Sequence, residues 1–172
     1  MAVLALPGSA QAAQANTATG EAQARVVAAL SVDALDALDF GVVVGRATTG
    51  GTVAVDPAGG APRYGGGAIA ACGAGVPCAA AHPARFAVHG EAGRVYLVSV
   101  PESLVVSGDG QGPVLTVDAL AVLAHTPGPT GNAGLLDAQG TDTFSVGGTL
   151  TVPADAPAAR YRLTIPLIVT YG

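Results

Sequence analysis

The chain has 172 residues, enough for one domain with a substantial core, and half of them are apolar although tryptophan is absent. A net charge of −5 with scattered arginines argues against nucleic acid and anionic membranes, and no apolar run approaches the ~20 residues of a membrane-spanning helix. The 25 glycines and 12 prolines predict many turns, and therefore many short strands.

Residues 1–12 have the features of the end of a signal peptide. Ala10-Gln11-Ala12 has the small-x-small form of a signal-peptidase site, and it follows a Pro-Gly break. The apolar part is too short for a whole signal and no basic segment precedes it, so 1–12 is interpreted as a remnant whose true start lies upstream. The sequence therefore predicts an exported protein.

The stretch 17–35 alternates between small or apolar residues and mostly polar ones, which predicts a β-strand with one buried face. At about 3.3 Å per residue it would extend more than ~50 Å, whereas ordinary strands cover ~17–20 Å. Part of it must pair with a neighbouring copy of the chain, or else the strand bends between two sheets of one sandwich. Its first apolar positions are Ala18, Gly20, Ala22, Ala24 and Val26.

The middle of the chain predicts short strands that end at glycine or proline. A pair of glycines, Gly147-Gly148, predicts a bulge in the last of them. No stretch has a helical period, so we expect an antiparallel β-sandwich of about eight or nine strands. The predicted strands are 42–45 (buried), 52–56, 84–89, 94–100, 104–106, 114–125 and 143–152, with loops at 57–67 and 127–134.

Two cysteines, Cys72 and Cys78, lie in a glycine-rich stretch. In an exported protein they indicate a disulfide within a loop, stabilising by roughly 2 kcal/mol. The alternative is a metal site with His82 or His89, but a single cysteine pair lacks the second ligand pair that structural zinc requires. The spacing also differs from the Cys-x-x-Cys of redox sites.

The chain ends in a strongly alternating stretch, 161–171, which predicts a last strand with one apolar face. Pro166 cannot donate to a strand ladder, so we expect a free side or a bulge there. A strong apolar strand with nothing after it to cover its edge is an aggregation hazard. Its apolar face, which we call the terminal stripe, consists of Tyr161, Leu163, Ile165, Leu167, Val169 and Tyr171.

Four blocks of this sequence together resemble a domain-of-unknown-function family grouped with the Mat/Ecp fimbria major subunits. They are Leu38-Asp39-Phe40-Gly41, the run 84–90 (ARFAVHG), the run 146–150 (VGGTL) and the terminal 161–171 strand. The resemblance covers most of the mature chain. Two features depart from it: Arg160, where family members often have glycine, and the pair Cys72 and Cys78.

The resemblance implies an incomplete immunoglobulin-like sandwich, exported through the periplasm and assembled by a chaperone and an usher. On this view 13–27 is an N-terminal donor strand, which we call the extension, and 28–172 is the pilin-like domain. Ala18, Gly20, Ala22, Ala24 and Val26 would fill the sandwich of an identical neighbour, and the terminal stripe would form the edge of the acceptor groove. The product would be a head-to-tail filament on the bacterial surface, with roles in adhesion.

The main alternative is a secreted, self-contained sandwich that binds a glycan or a protein. Such a module would need an exposed aromatic platform, and the chain has only four tyrosines and three phenylalanines. The low content of charged residues, 11% against the usual ~25%, instead suggests that partners cover part of the surface.

Catalysis and cofactors are not expected from this sequence. His82, His89 and His125 lie in different segments, and neither Gly-x-Ser-x-Gly nor His-Glu-x-x-His is present. Three aspartates spaced by three, at 33, 36 and 39, suggest a calcium loop, but the spacing is not that of an EF-hand and aspartate is common in turns. We therefore predict no enzyme activity, no metal and no cofactor.

Overall fold

The computed structural model describes residues 19–45, 48–71, 81–106, 114–154 and 156–172, and within these ranges the chain is all-β, without a helix. This confirms the predicted fold class, because the pairing between strands is antiparallel throughout. The strands are β1 (Ser31–Asp36), β2 (Val43–Val44), β3 (Gly51–Val55), β4 (Arg63–Gly66), β5 (Ile69–Ala70), β6 (Ala84–His89), β7 (Val95–Ser99), β8 (Ser103–Val106), β9 (Leu115–Ala124), β10 (Ala133–Leu135), β11 (Thr141–Val152) and β12 (Ile168–Tyr171).

The long strand β11 is the centre of a seven-stranded sheet. One side of β11 pairs with β6 through its first half and with β3 through its second half, while β9 pairs along the other side. The outer strands of this sheet are β1, β4 and β8. A three-stranded sheet, in the order β10-β7-β12, and a two-stranded ribbon of β2 and β5 complete the fold.

Two apolar clusters hold these sheets together in a sandwich-like arrangement. In the first cluster, Tyr96 and Val98 of the three-stranded sheet pack against Val88, Phe144 and Val146 of the large sheet. The second cluster lies further along the large sheet and contains Val53, Val117 and Leu150, with partly buried side chains from outside that sheet packed over it. The core is mostly aliphatic, and among the described residues Phe144 and Tyr96 are its only large rings buried below 2% exposure.

The predicted bulge lies where glycines were expected, but the extra residue belongs to the partner strand. Gly147 pairs with Ala121 and Thr149 with Asp118, so one residue of β11 faces two residues of β9. Ala119, one of those two, takes a positive φ of 50°. A Cβ at Gly147 would overlap the carbonyl oxygen of Val55, so the neighbouring strand β3 requires glycine here.

Several predicted strands have different bounds in the structure. The 42–45 strand exists as β2 but is not buried, since Val42 and Val44 are 52% and 46% exposed. The predicted loop 57–67 contains β4, and β10 begins at the end of the predicted loop 127–134. Glycine-rich backbones can pair in a ladder although they leave no alternating side-chain pattern, which is why both strands were missed.

The two longest predicted strands are shorter than expected. Of the stretch 17–35, only Ser31–Asp36 is a strand, and of 161–171 only Ile168–Tyr171 is. The described residues from Thr19 to Leu30 pair with neither sheet, so no bend between the two sheets is seen. No helix in the described ranges has the length and apolar character needed to cross a membrane.

Candidate strand-pairing site

The terminal segment 161–171 keeps an alternating pattern of burial along its whole length. All six residues of the terminal stripe are half-buried, whereas the five residues between them are exposed. Among these five is Ile168, an isoleucine with 66% of its side chain exposed. The sequence therefore predicted correctly which face turns inward, but the inward face is not completely covered.

The terminal segment lies across both apolar clusters. Leu167, Val169 and Tyr171 pack against the first cluster, and Tyr161 and Leu163 pack against the second. A single segment thus contacts the core at both ends of the sandwich, and five of its six half-buried side chains pack against that core.

The outer edge of β12 presents backbone groups that do not pair with β7. Gly172 donates its backbone N–H to the carbonyl of Val95 at 3.0 Å, and in the register of β12 and β7 this places Ile168 and Thr170 in hydrogen-bonded pairs. The backbone groups of Val169 and Tyr171 consequently point away from β7. Within the described ranges no strand pairs with that outer edge.

Two prolines explain why β12 begins only at Ile168. Continuing its register with β7 places Pro166 opposite Pro101, at a position where each residue would normally donate an N–H to the other. Neither residue has an N–H, so the ladder ends. The missing donor of Pro166 faces the β7 side, and Pro166 therefore removes nothing from the outer edge.

The first residues of the domain pack against the same two clusters as the terminal segment. Leu30, Val32 and Leu38 pack against the first cluster, with Leu167 and Val169, and Phe40 packs against the second, with Tyr161. The segments 30–40 and 161–171 therefore run along the same two clusters in opposite directions. β1 is an outer strand of the large sheet and β12 is an outer strand of the small one.

The described part of the extension, from Thr19 to Val27, is exposed at every residue and contains no strand. Gly20, Ala22, Ala24 and Val26 all lie in it, and Val26 is 95% exposed. An apolar side chain this exposed contributes nothing to its own domain. Ala18, the remnant 1–12, and the pair Cys72 and Cys78 lie outside the described residues.

The residues considered for ion binding have separate partners. Asp33 lies 3.5 Å from the Nε2 of His89, Asp36 lies 3.4 Å from Arg85, and Asp39 accepts a hydrogen bond of 2.7 Å from the backbone N–H of Gly41. Within the described ranges no three histidine, cysteine or acidic side chains are grouped so that they could hold a metal.

The aromatic side chains do not form an exposed platform. All four tyrosines and three phenylalanines lie within the described ranges, and Tyr64, at 37%, is the only exposed one. Phe86 and Phe144 stack with ring centroids 5.0 Å apart inside the core. The feature expected of a glycan-binding module is thus absent from this part of the molecule.

Within the residues that the structure describes, the chain forms an all-β, antiparallel, sandwich-like domain whose last strand pairs with a neighbour on one side only. Residues 30–171 match the family model described as domain of unknown function (DUF4402), and the chain belongs to that family. Among curated proteins nothing matches the chain, and no solved structure matches it. The match says nothing of Mat/Ecp fimbrial subunits, so that resemblance stays a prediction.

Proposed function

We propose that this protein is the structural subunit of an extracellular filament, and that it polymerises by strand donation between identical subunits. The observation that carries the proposal is the terminal segment, which combines a half-buried apolar face with an outer edge whose backbone groups point away from β7. The extension of one subunit would lie along the terminal stripe of the next. This edge then becomes an inner position of a completed sheet.

The extension suits this role because every second residue is small. Alternate side chains of an added strand enter pockets, while main-chain hydrogen bonds supply affinity. Side chains as small as those of Ala22 and Ala24 bury little area, at roughly 0.8 kcal/mol per methylene. The ladder, at about 0.5–1.5 kcal/mol net per hydrogen bond, therefore carries comparable weight.

The proposed contact joins different surfaces of two copies, and a head-to-tail contact of this kind generates an open filament unless its rotation closes a ring. Before assembly the apolar edge needs protection against unwanted pairing. A periplasmic chaperone and an usher are the partners that would supply it in an exported protein, and neither nucleic acid nor membrane insertion has a role. Adhesion would be a property of the filament surface.

Electron microscopy of the purified full chain by negative staining tests this function. We expect filaments from the unchanged protein and none from Ala22→Asp or Val26→Asp, because each places an unpaired charge against an apolar groove. Gln23→Asp is the matched control: it adds the same charge to the opposite face of the extension and should leave filaments intact.

Two further variants of the protein distinguish strand donation from the alternative, a self-contained binding module. Moving 16–27 behind Gly172 through a short linker should give a stable monomer that does not polymerise. Filaments that persist after deletion of 13–27 would contradict strand donation. A protein that is globular with and without 13–27, and equally stable in both forms, would favour the secreted binding module.

A further inference from the structure

The extension leaves the domain at a cluster of polar and aromatic contacts around the last residue of the terminal stripe. The hydroxyl of Tyr171 donates a hydrogen bond of 2.8 Å to the carbonyl oxygen of Ala28. The same hydroxyl accepts a hydrogen bond of 2.8 Å from the backbone N–H of Glu91. One phenol thus joins the start of the domain, the β6–β7 turn and the last strand.

Charged side chains reinforce this cluster from both sides. The guanidinium of Arg94 lies over the ring of Tyr171, 5.1 Å from its centroid, at a distance typical of a cation–π contact. Arg25, within the extension, forms an ion pair with the carboxylate of Glu91. The Arg25 side chain is largely exposed, so the ion pair is the weaker of the two contacts.

The packing beneath Tyr171 is tight at Gly90. A Cβ at Gly90 would clash with the Tyr171 hydroxyl and with the side chains of Leu30 and Leu136. Leu30 itself packs against the first cluster, only two residues after Ala28. Leu30 is the first half-buried residue of the described chain, and all described residues before it are exposed.

We infer that Tyr171, with Glu91 and Arg94, is a positioning group that clamps the root of the extension at Ala28 and so sets the direction in which the extension leaves its subunit. Tyr171 is also the last residue of the terminal stripe. One side chain thereby links the edge that would receive a neighbour's strand to the root of the strand that this subunit would donate. The consequence for filament geometry rests on the proposed function, whereas the clamp itself does not.

Limited trypsin digestion of the full chain, kept monomeric by dilution, tests the clamp directly. Trypsin binds residues on both sides of the Arg25–Val26 bond, so the hydrogen bond that holds Ala28 should slow cleavage after Arg25. The cleavage rate then follows the population of the open form when opening is fast. Tyr171→Phe keeps the ring and removes the hydroxyl, and we expect it to raise the rate at Arg25 by about 2- to 10-fold, as loss of one ordinary hydrogen bond would. Glu91→Gln should raise the same rate, while Glu21→Gln should not.

Two internal controls distinguish a local clamp from a general loss of stability. Tyr161→Phe removes the hydroxyl at the other end of the terminal stripe, where it donates to the nearby carbonyl of Pro157, and should leave the Arg25 rate unchanged. Cleavage after Arg63, in β4, reports on opening of the large sheet. An Arg25 rate unaltered by Tyr171→Phe, or Arg25 and Arg63 rates that rise together, would overturn the clamp.

The stiffness of the filaments separately tests whether the clamp affects filament geometry. Tyr171→Phe filaments should form, because the backbone of the terminal stripe is unchanged, but their persistence length on micrographs should fall by about 2-fold or more as the root becomes freer. Filaments of unaltered stiffness would overturn a role in filament geometry. Absence of wild-type filaments would instead count against the proposed function. The trypsin experiment would still show whether Tyr171 holds the chain at Ala28.

Discussion

The phenol of Tyr96 donates a hydrogen bond of 2.8 Å to Oδ2 of Asp142, and this buried bond joins the two sheets of the sandwich. Asp142 is only 7% exposed and also accepts a hydrogen bond of 3.3 Å from the backbone N–H of Thr126. A buried carboxylate requires such partners, because desolvation without compensation is costly. The pair therefore fixes how the small sheet sits on the large one.

Tyr96→Phe should lower the free energy of unfolding by about 1–3 kcal/mol, because it leaves the Asp142 carboxylate with one fewer donor in a buried place. Urea denaturation at neutral pH measures the change. Tyr64→Phe removes an exposed hydroxyl and should alter stability by less than ~0.5 kcal/mol. Equal stability of the two variants would show that the Tyr96 hydrogen bond contributes nothing net.

Stability should also fall at alkaline pH because of the same phenol. Burial, followed by the hydrogen bond and the charge of Asp142, raises the pKa of Tyr96 above its ordinary value of 10.0. The unfolded chain ionises at the ordinary value while the folded chain stays neutral, so the stabilising contribution is complete below pH 10 and is lost as pH rises toward the folded pKa.

Urea midpoints between neutral pH and pH 11 test this dependence. Because Tyr96 releases one proton, its titration can lower the free energy of unfolding by at most about 1.4 kcal/mol per pH unit. Tyr96→Phe should lose stability less steeply than the unchanged protein above pH 10, since the other tyrosines titrate in both. Parallel curves for the two proteins would contradict the raised pKa.

Gly134→Ala should destabilise the small sheet. A Cβ at Gly134 would overlap the ring of Tyr96, which is fully buried and cannot move aside without breaking its bond to Asp142. We expect a loss of about 1–3 kcal/mol, as for overpacking in a core. Gly131→Ala is the matched control three residues away: no atom lies within 4 Å of its Cβ, so thermal unfolding should change little.

Much of the fold could be predicted because side-chain alternation and glycine or proline boundaries coincide in the central strands. The predicted strand 84–89 is β6, and β7 and β11 differ from prediction by only a few residues. The alternation at 161–171 also predicted the buried face of the terminal stripe. The same alternation overestimated the length of the last strand, because side chains can alternate wherever the chain is extended, whether or not its backbone is paired.

The clamp at the root of the extension could not be predicted from the sequence. Tyr171 and Ala28 lie 143 residues apart, and both hydrogen bonds of the phenol are to backbone groups, which carry no sequence signal. The opposition of Pro166 and Pro101 also depends on the register of β12 with β7, which follows from the fold. In both cases the missing information was which segments become neighbours.

Strand donation requires the extension of one subunit to pair with the outer edge of the terminal segment of another. The most direct measurement is residue-resolved amide exchange by NMR, on a chain that begins at Ala28, with and without a saturating peptide of residues 13–27. The amides of Val169 and Tyr171, which point away from β7, should exchange at least ~10-fold more slowly when the peptide is bound, while those of Ile168 and Thr170, already bonded to β7, change much less. A peptide carrying Ala22→Asp should give no protection, and exchange at Val169 and Tyr171 that is the same with and without the unchanged peptide would contradict the account.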